Sequence, residues 1–280
     1  MRTRIFNKMT AREVEDYLAR GGDTIFVAVG VVECHSAMPI DAEQMLPEAY
    51  AVTMAEKADG LAMINLPYFF PGGTIISHAT VQVTVRQSID YLMMIGRSLV
   101  AQGFRKIFLL SGHGPARLYI DAFCRDFFQE TKIHPIHLNL MGIMRKGDTR
   151  TREEIMKTET DFSAGAYKIL GMMDDLPIVP DAPAPLPYDD SINPPMYRLQ
   201  QALRPVGAQA CMMYASLEHH VPCRAFRSIE ERDRVCEEEA ARIRAAVDAI
   251  DFDEIKAALD GYYEYIRELG EKEPRIAGIY

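Results

Sequence analysis

The sequence lacks an excess of positive charge: 31 basic residues face 40 acidic ones, giving a formal net charge of -9 and a pI near 5.3. That argues against a nucleic-acid partner, which needs a clustered basic surface to neutralise phosphates. No apolar run approaches the roughly 18 residues that span a bilayer, and the basic residues of the first ten positions have no apolar segment behind them. Membrane insertion and export are not expected, and a cytoplasmic location is. Cysteine is sparse, and Cys34, Cys124, Cys211, Cys223 and Cys236 are odd in number, scattered and never in a C-x-x-C pair. Such usage suits reduced thiols better than a disulfide framework. Internal repeats are absent, and the one biased tract is the stretch from Asp174 to Pro195, with seven prolines, expected as a long loop or arm.

What remains is a chain of 280 residues, 48% hydrophobic and 25% charged, able to bury a substantial core and expected as a single domain. Thr10-Ala11-Arg12-Glu13 is a capping box that opens a helix, and Gly21-Gly22 closes it. The continuous apolar run from Ile25 to Val29 fits a buried parallel strand. Further strands are expected at Ala62 to Leu66, Thr80 to Val85, Lys106 to Leu110 and Ile136 to Leu140. Helices are expected at Ala42 to Ala58, Ser88 to Gln102, Ala116 to Glu130, Thr151 to Met173 and, as a charged pair broken near Asp251 to Asp253 and weakened at Gly261, over 228–270. Strands alternating with helices predict an α/β fold, a mostly parallel sheet between helical layers. Ligands in such folds bind beyond the carboxyl ends of the strands.

Two polar clusters stand at such ends. Glu33-Cys34-His35 follows the Ile25 strand, and Ser111-Gly112-His113-Gly114 follows the Lys106 strand. Glu33 and His35 are two residues apart and so project to one face of an extended chain, to which Asp41 or Glu43 can return after the turn at Pro39. Taken alone, the acidic residues also suit an ordinary helix start, where the dipole favours carboxylates. With His113 they form a mixed N/O donor set of the kind that holds Zn²⁺ or Mn²⁺ and leaves a position for water, the usual route to amide hydrolysis without a covalent intermediate. Alternation turns Cys34 to the opposite face, as a packed thiol, while a Cys34–His113 nucleophilic pair is the competing enzymatic reading. His78 either lines the substrate cleft or is a solvated turn residue. His219 and His220 beside Glu218 fit a surface or interface role better than a second metal cluster, and His134 and His137 are expected to be structural.

On these residues the chain resembles the creatininase (creatinine amidohydrolase) family, whose first motif is G-x-x-E-x-H-G-x-H-L-P-x-x-x-D. Gly30 to His35 and Met38-Pro39 match it with one residue deleted, and Gly103-Phe104-Arg105-Lys106-Ile107 to His113-Gly114 matches the later G-F-[RK]-[RK]-[IV] and N-G-H-G-G-N motifs. The resemblance runs from about Thr10 to Met173. It implies a three-layer α/β/α sandwich, a homo-oligomer such as a hexamer, and a dinuclear metal site that hydrolyses cyclic or linear amide C–N bonds. Glu33, His35 and His113 fall on metal ligands, and the bridging aspartate falls on Glu43, with Asp41 as its competitor.

The departures sit on one side of that chemistry. Pro115 stands where creatininases carry a glutamate, and Ser163-Ala164-Gly165-Ala166-Tyr167-Lys168 stands for H-A-G-x-x-E, replacing a proton-transferring histidine by Ser163 and a second-metal glutamate by Lys168. The expectation is therefore one firmly held divalent ion, Zn or Mn with Fe as a third option. Lys168 is expected either to supply charge in place of the second ion or to point to solvent, and Asp41 is the candidate acid/base. Creatinine is not the expected substrate. A catalytically degenerate member with a ligand-binding or assembly role is the alternative.

Overall fold

A computed structural model describes residues 1–35, 37–75, 78–145, 161–182, 194–214 and 225–273. Four parallel strands form its centre: β1 (Thr24–Ala28), β2 (Leu61–Met63), β4 (Lys106–Ser111) and β5 (Ile136–Asn139), in the order β2-β1-β4-β5. A second, two-stranded parallel ladder joins β3 (Thr74–Ile75) to β6 (Met213–Tyr214). The helices are α1 (Ala11–Ala19), α2 (Ala42–Lys57), α3 (Val85–Gln102), α4 (Arg117–Thr131), α5 (Leu140–Arg145), α6 (Asp161–Leu170), α7 (Pro194–Leu203), α8 (Ile229–Asp248) and α9 (Phe252–Lys272).

The layering follows from side-chain alternation along the two central strands, β1 and β4, which are wholly buried. Phe26, Ala28, Phe108 and Leu110 face one core with α2, α6 and α8, whereas Ile25, Val27, Ile107 and Leu109 face the other with α1, α3 and α4. Phe26 and Phe108 stack at 4.9 Å across the central strand pair, and Phe252 at the start of α9 meets both rings edge-on. At the amino ends of the strands, the buried Lys106 ammonium lies 2.7 Å from Asp23 and 2.6 Å from Asp260, so the charge is matched where β4 enters the core. The three-layer α/β/α arrangement anticipated from the sequence is the one observed.

Thr10 and Thr84 each close a reciprocal capping box, with Glu13 and Gln87, and Gly103 ends α3 in the left-handed conformation. The expected strand over Thr80 to Val85 is absent. Thr84 caps α3 instead, Val85 is its first residue, and the alternation of 80–84 reflects a half-exposed connection rather than a sheet face. The helix expected from Thr151 is described only from Asp161, and residues 146–160 lie outside the described residues, as do 183–193 of the proline-rich stretch. Helix α7 was not anticipated.

Helix α9 runs through Gly261 without a break, and nothing lies within 4 Å of where a Cβ would stand there. Gly261→Ala is expected to stabilise the protein by about 0.5–1 kcal/mol, because a mid-helix glycine costs backbone entropy and the added methyl meets no neighbour. An unchanged or lowered denaturation midpoint would contradict this.

Candidate metal centre

The carboxyl ends of β1 and β4 converge because small residues let α2 cross them closely. A Cβ on Gly30 would collide with Gln44, and one on Gly112 would stand 2.6 Å from Leu46 Cδ2. These contacts bring the first turn of α2, with Glu43, against both strand exits. Pro47 in the same helix has no N–H to offer the Glu43 carbonyl four residues earlier, so this turn is less constrained by the helical ladder than its neighbours. After β1 the chain tightens: Glu33 N–H donates to the Ile40 carbonyl at 3.0 Å and Met38 N–H to the His35 carbonyl at 2.9 Å.

Within this frame Glu33, Glu43 and His113 bring ligand atoms within 4.8 Å of one another, and among the described residues this is the group of its kind. His113 Nδ1 contacts Glu43 Oε2 closely and lies 3.7 Å from Glu33 Oε2, while His35 Nε2 is 3.5 Å from Glu43 Oε1. Glu33, His35 and His113 are all buried.

The outer nitrogens of both rings are fixed. His113 Nε2 lies 2.7 Å from the Pro71 carbonyl and His35 Nδ1 lies 3.2 Å from the Glu33 carbonyl. A carbonyl only accepts, so each of these nitrogens carries the proton. In the neutral rings the lone pairs of His113 Nδ1 and His35 Nε2 therefore face the carboxylates, the second-sphere pattern of metal-binding histidines.

The charges point the same way. Burial, and then the charge of Glu43, push the Glu33 carboxyl up to about 9. Burial also works against ionised Glu43, but the facing His113 and His35 hold it well below the usual carboxylate range. Burial works against charged imidazoles, yet the Glu43 carboxylate outweighs it and raises both. Glu33 therefore favours its protonated form while Glu43 is ionised, and the two ionise together only when positive charge stands between them, from ring protons or from a divalent cation. Glu33, Glu43 and His113 thus form a candidate metal site of mixed N/O donors, which His35 meets through Glu43.

Asp41, Lys168 and His78 do not join this group. Asp41 accepts a hydrogen bond from the Tyr167 hydroxyl and so links the start of α2 to α6. The Lys168 ammonium lies 2.5 Å from Glu237 on α8, and that ion pair answers its charge locally. His78 is exposed. Pro115 packs on Gly72, whose φ of 81° is left-handed, and Ser163 is buried.

Cys34 is buried against Met196 and Met212, as a packed thiol would be. His137 pairs with Asp121 at 2.6 Å, and His134 Nδ1 donates to the Pro135 carbonyl at 2.9 Å. His219, His220 and Cys223 lie outside the described residues. The Pro71 carbonyl and Tyr167 escaped sequence reasoning because nothing local marks them: each reaches the site from a segment remote in the chain.

Fold and site together define the class: an α/β protein with a metal-competent carboxylate–imidazole centre at the carboxyl ends of parallel strands. The family profile described as "Creatininase: Creatinine amidohydrolase" matches residues 7–168, and the chain belongs to that family. No curated protein sequence matches it.

Solved structures share the fold. A creatinine amidohydrolase (creatininase) superimposes with a TM-score of 0.56 at 16% identity, covering 88% of this chain and 97% of the other. A Zn–Zn type mutant creatininase gives 0.55 at 18% identity over 88% and 98%, and a creatininase in its Mn form gives the same four values.

Proposed function

We propose that this protein is a metal-dependent hydrolase of an amide or related C–N bond in a small molecule other than creatinine. It would hold one divalent ion, Zn or Mn with Fe as a third option, through Glu33, His35, Glu43 and His113. The observation that carries the reading is the pair of histidines, each with its outer nitrogen on a backbone carbonyl and its inner nitrogen toward Glu43, His113 facing Glu33 as well. A divalent ion in such a donor set supplies a Lewis acid and a water acidic enough to attack a carbonyl near neutral pH. Glu33 and Glu43 would supply the anionic charge that retains the cation. With Ser163 in place of the family's histidine, the proton would be carried by a carboxylate such as Asp41, two residues before Glu43 and hydrogen-bonded by Tyr167, or by the water network itself. A cytoplasmic homo-oligomer, hexameric in the arrangement the family resemblance implies, is the proposed state.

One ion rather than two is supported by the residues that depart from the family pattern. The Pro115 ring packs on Gly72, and the Lys168 ammonium is spent on Glu237. The same substitutions favour a second reading, a protein that keeps the centre for ligand binding without turnover.

Metal analysis of protein purified without chelator, followed by assay against cyclic and linear amides, tests both readings. About one equivalent of Zn, Mn or Fe per chain with turnover is expected, because a preformed donor set binds before chemistry begins. Metal without turnover on any amide supports the binding reading, and protein that neither carries nor takes up metal refutes the proposal.

A further inference from the structure

The segment Phe69–Gly72 reaches the centre through one atom, the Pro71 carbonyl that accepts from His113 Nε2 at 2.7 Å. That contact is made by main chain in an irregular segment, so its geometry depends on what holds the segment. Four side chains do.

The Phe69 ring, fully buried, stacks on Tyr119 of α4 at 5.7 Å with planes 2° apart, and lies 5.5 Å from Tyr91 of α3. The Phe70 N–H donates to Ser88 Oγ at 3.0 Å, and that hydroxyl in turn donates to the Thr84 carbonyl at 3.0 Å, so it is held in its accepting orientation. Gly72 lies against the Pro115 ring, and its left-handed φ lets the chain turn there.

The Tyr119 hydroxyl is buried and makes no hydrogen bond to the described residues. Its ring, rather than its oxygen, is therefore what touches the segment.

We infer that Ser88 and Tyr119 are positioning residues for the metal centre: by clamping Phe69 and Phe70 they hold the Pro71 carbonyl on His113 and keep its Nδ1 turned to Glu33 and Glu43. The inference rests on the metal-centre reading for its consequence, but its geometry is independent of any ion. The coupling runs from α3 and α4 through two ring or backbone contacts to one imidazole, and neither side chain is itself a ligand.

Four proteins test it: wild type, Ser88→Ala, Tyr119→Leu and Tyr119→Phe. Zn²⁺ affinity is measured by competition with a chromophoric chelator. Ser88→Ala and Tyr119→Leu are expected to bind about 10–100-fold more weakly, the range for loss of an outer-sphere partner, while Tyr119→Phe keeps the stack and stays near wild type. In metal-free protein, the His113 Nε2–H proton resonance, assigned by its loss in His113→Gln, is expected in wild type and Tyr119→Phe. In the other two variants it should be lost to solvent exchange.

A merely structural role would lower thermal stability and leave both readouts in place. Wild-type affinity together with a retained resonance in Ser88→Ala and Tyr119→Leu would overturn the inference, and if Tyr119→Leu fails to fold, Ser88→Ala decides alone. A wild type that takes up no Zn²⁺ would refute the metal reading instead, with the resonance still deciding whether the clamp exists.

Discussion

His113→Ala is expected to lower the affinity for Zn²⁺ or Mn²⁺ by more than the roughly 10–100-fold that removal of an outer-sphere partner costs, and to abolish any amide hydrolysis that depends on the ion. The imidazole contacts Glu43 closely and lies 3.7 Å from Glu33. Removing it deletes a nitrogen donor and leaves buried Glu33 and half-buried Glu43 with His35 to offset them.

The measurement is twofold. Wild-type protein should gain thermal stability when Zn²⁺ is added, by about 2.7 kcal/mol at a free concentration 100 times the dissociation constant, because the ion binds the folded chain. His113→Ala should gain almost none. Equal stabilisation of both proteins would mean that the ion binds elsewhere, and the assignment of the centre would fail. Glu43→Gln should behave similarly, since it removes the charge that lies against both imidazoles while conserving volume.

Gly165→Val is expected to yield no soluble protein, and Gly165→Ala to be destabilised by at least the roughly 1–3 kcal/mol typical of overpacking. A Cβ at this position would stand 2.5 Å from Ala240 N and 2.5 Å from the Glu239 carbonyl carbon. These are main-chain atoms of α8, so no side-chain rotation relieves the collision and the α6–α8 pair has to separate. That pair carries Ala164, Ala166, Tyr167, Val235, Cys236 and Ile243 of one core, and the Tyr167 hydroxyl is the donor to Asp41.

Denaturant midpoints check this against Gly261→Ala, the same chemical change in open space. Domain stabilities run at about 5–15 kcal/mol, so the valine variant exhausts much of the margin. A Gly165→Ala midpoint equal to wild type would show that α8 shifts at no cost.

Much of the frame was legible because it rests on local patterns. The capping boxes at Thr10 and Thr84 obey short-range hydrogen-bond geometry, although only the first was read. The strands at Ile25 and Lys106 are continuous apolar runs, which two-sided burial demands. The strand expected at Thr80 failed for the converse reason: alternation alone does not supply a partner, and the Thr84 cap committed those residues to a helix entry. The choice between Asp41 and Glu43 could not be made from the sequence, since both follow one shortened turn. In the structure Glu43 faces the two imidazoles whereas Asp41 is turned to Tyr167, 126 residues away along the chain.

The sequence by itself determined the alternation of strands and helices and the identity of Glu33, His35, Glu43 and His113 as metal-competent residues at the ends of strands and the start of the following helix. Spacing and side-chain chemistry are properties of the chain and survive without coordinates. Only the tertiary structure decided which nitrogen of each ring faces the carboxylates, that the Lys168 ammonium belongs to Glu237, and that Pro71, Tyr119 and Ser88 stand behind His113. Those facts depend on contacts between segments far apart in sequence, where a carbonyl or an aromatic ring carries no local signature until packing brings it to its partner.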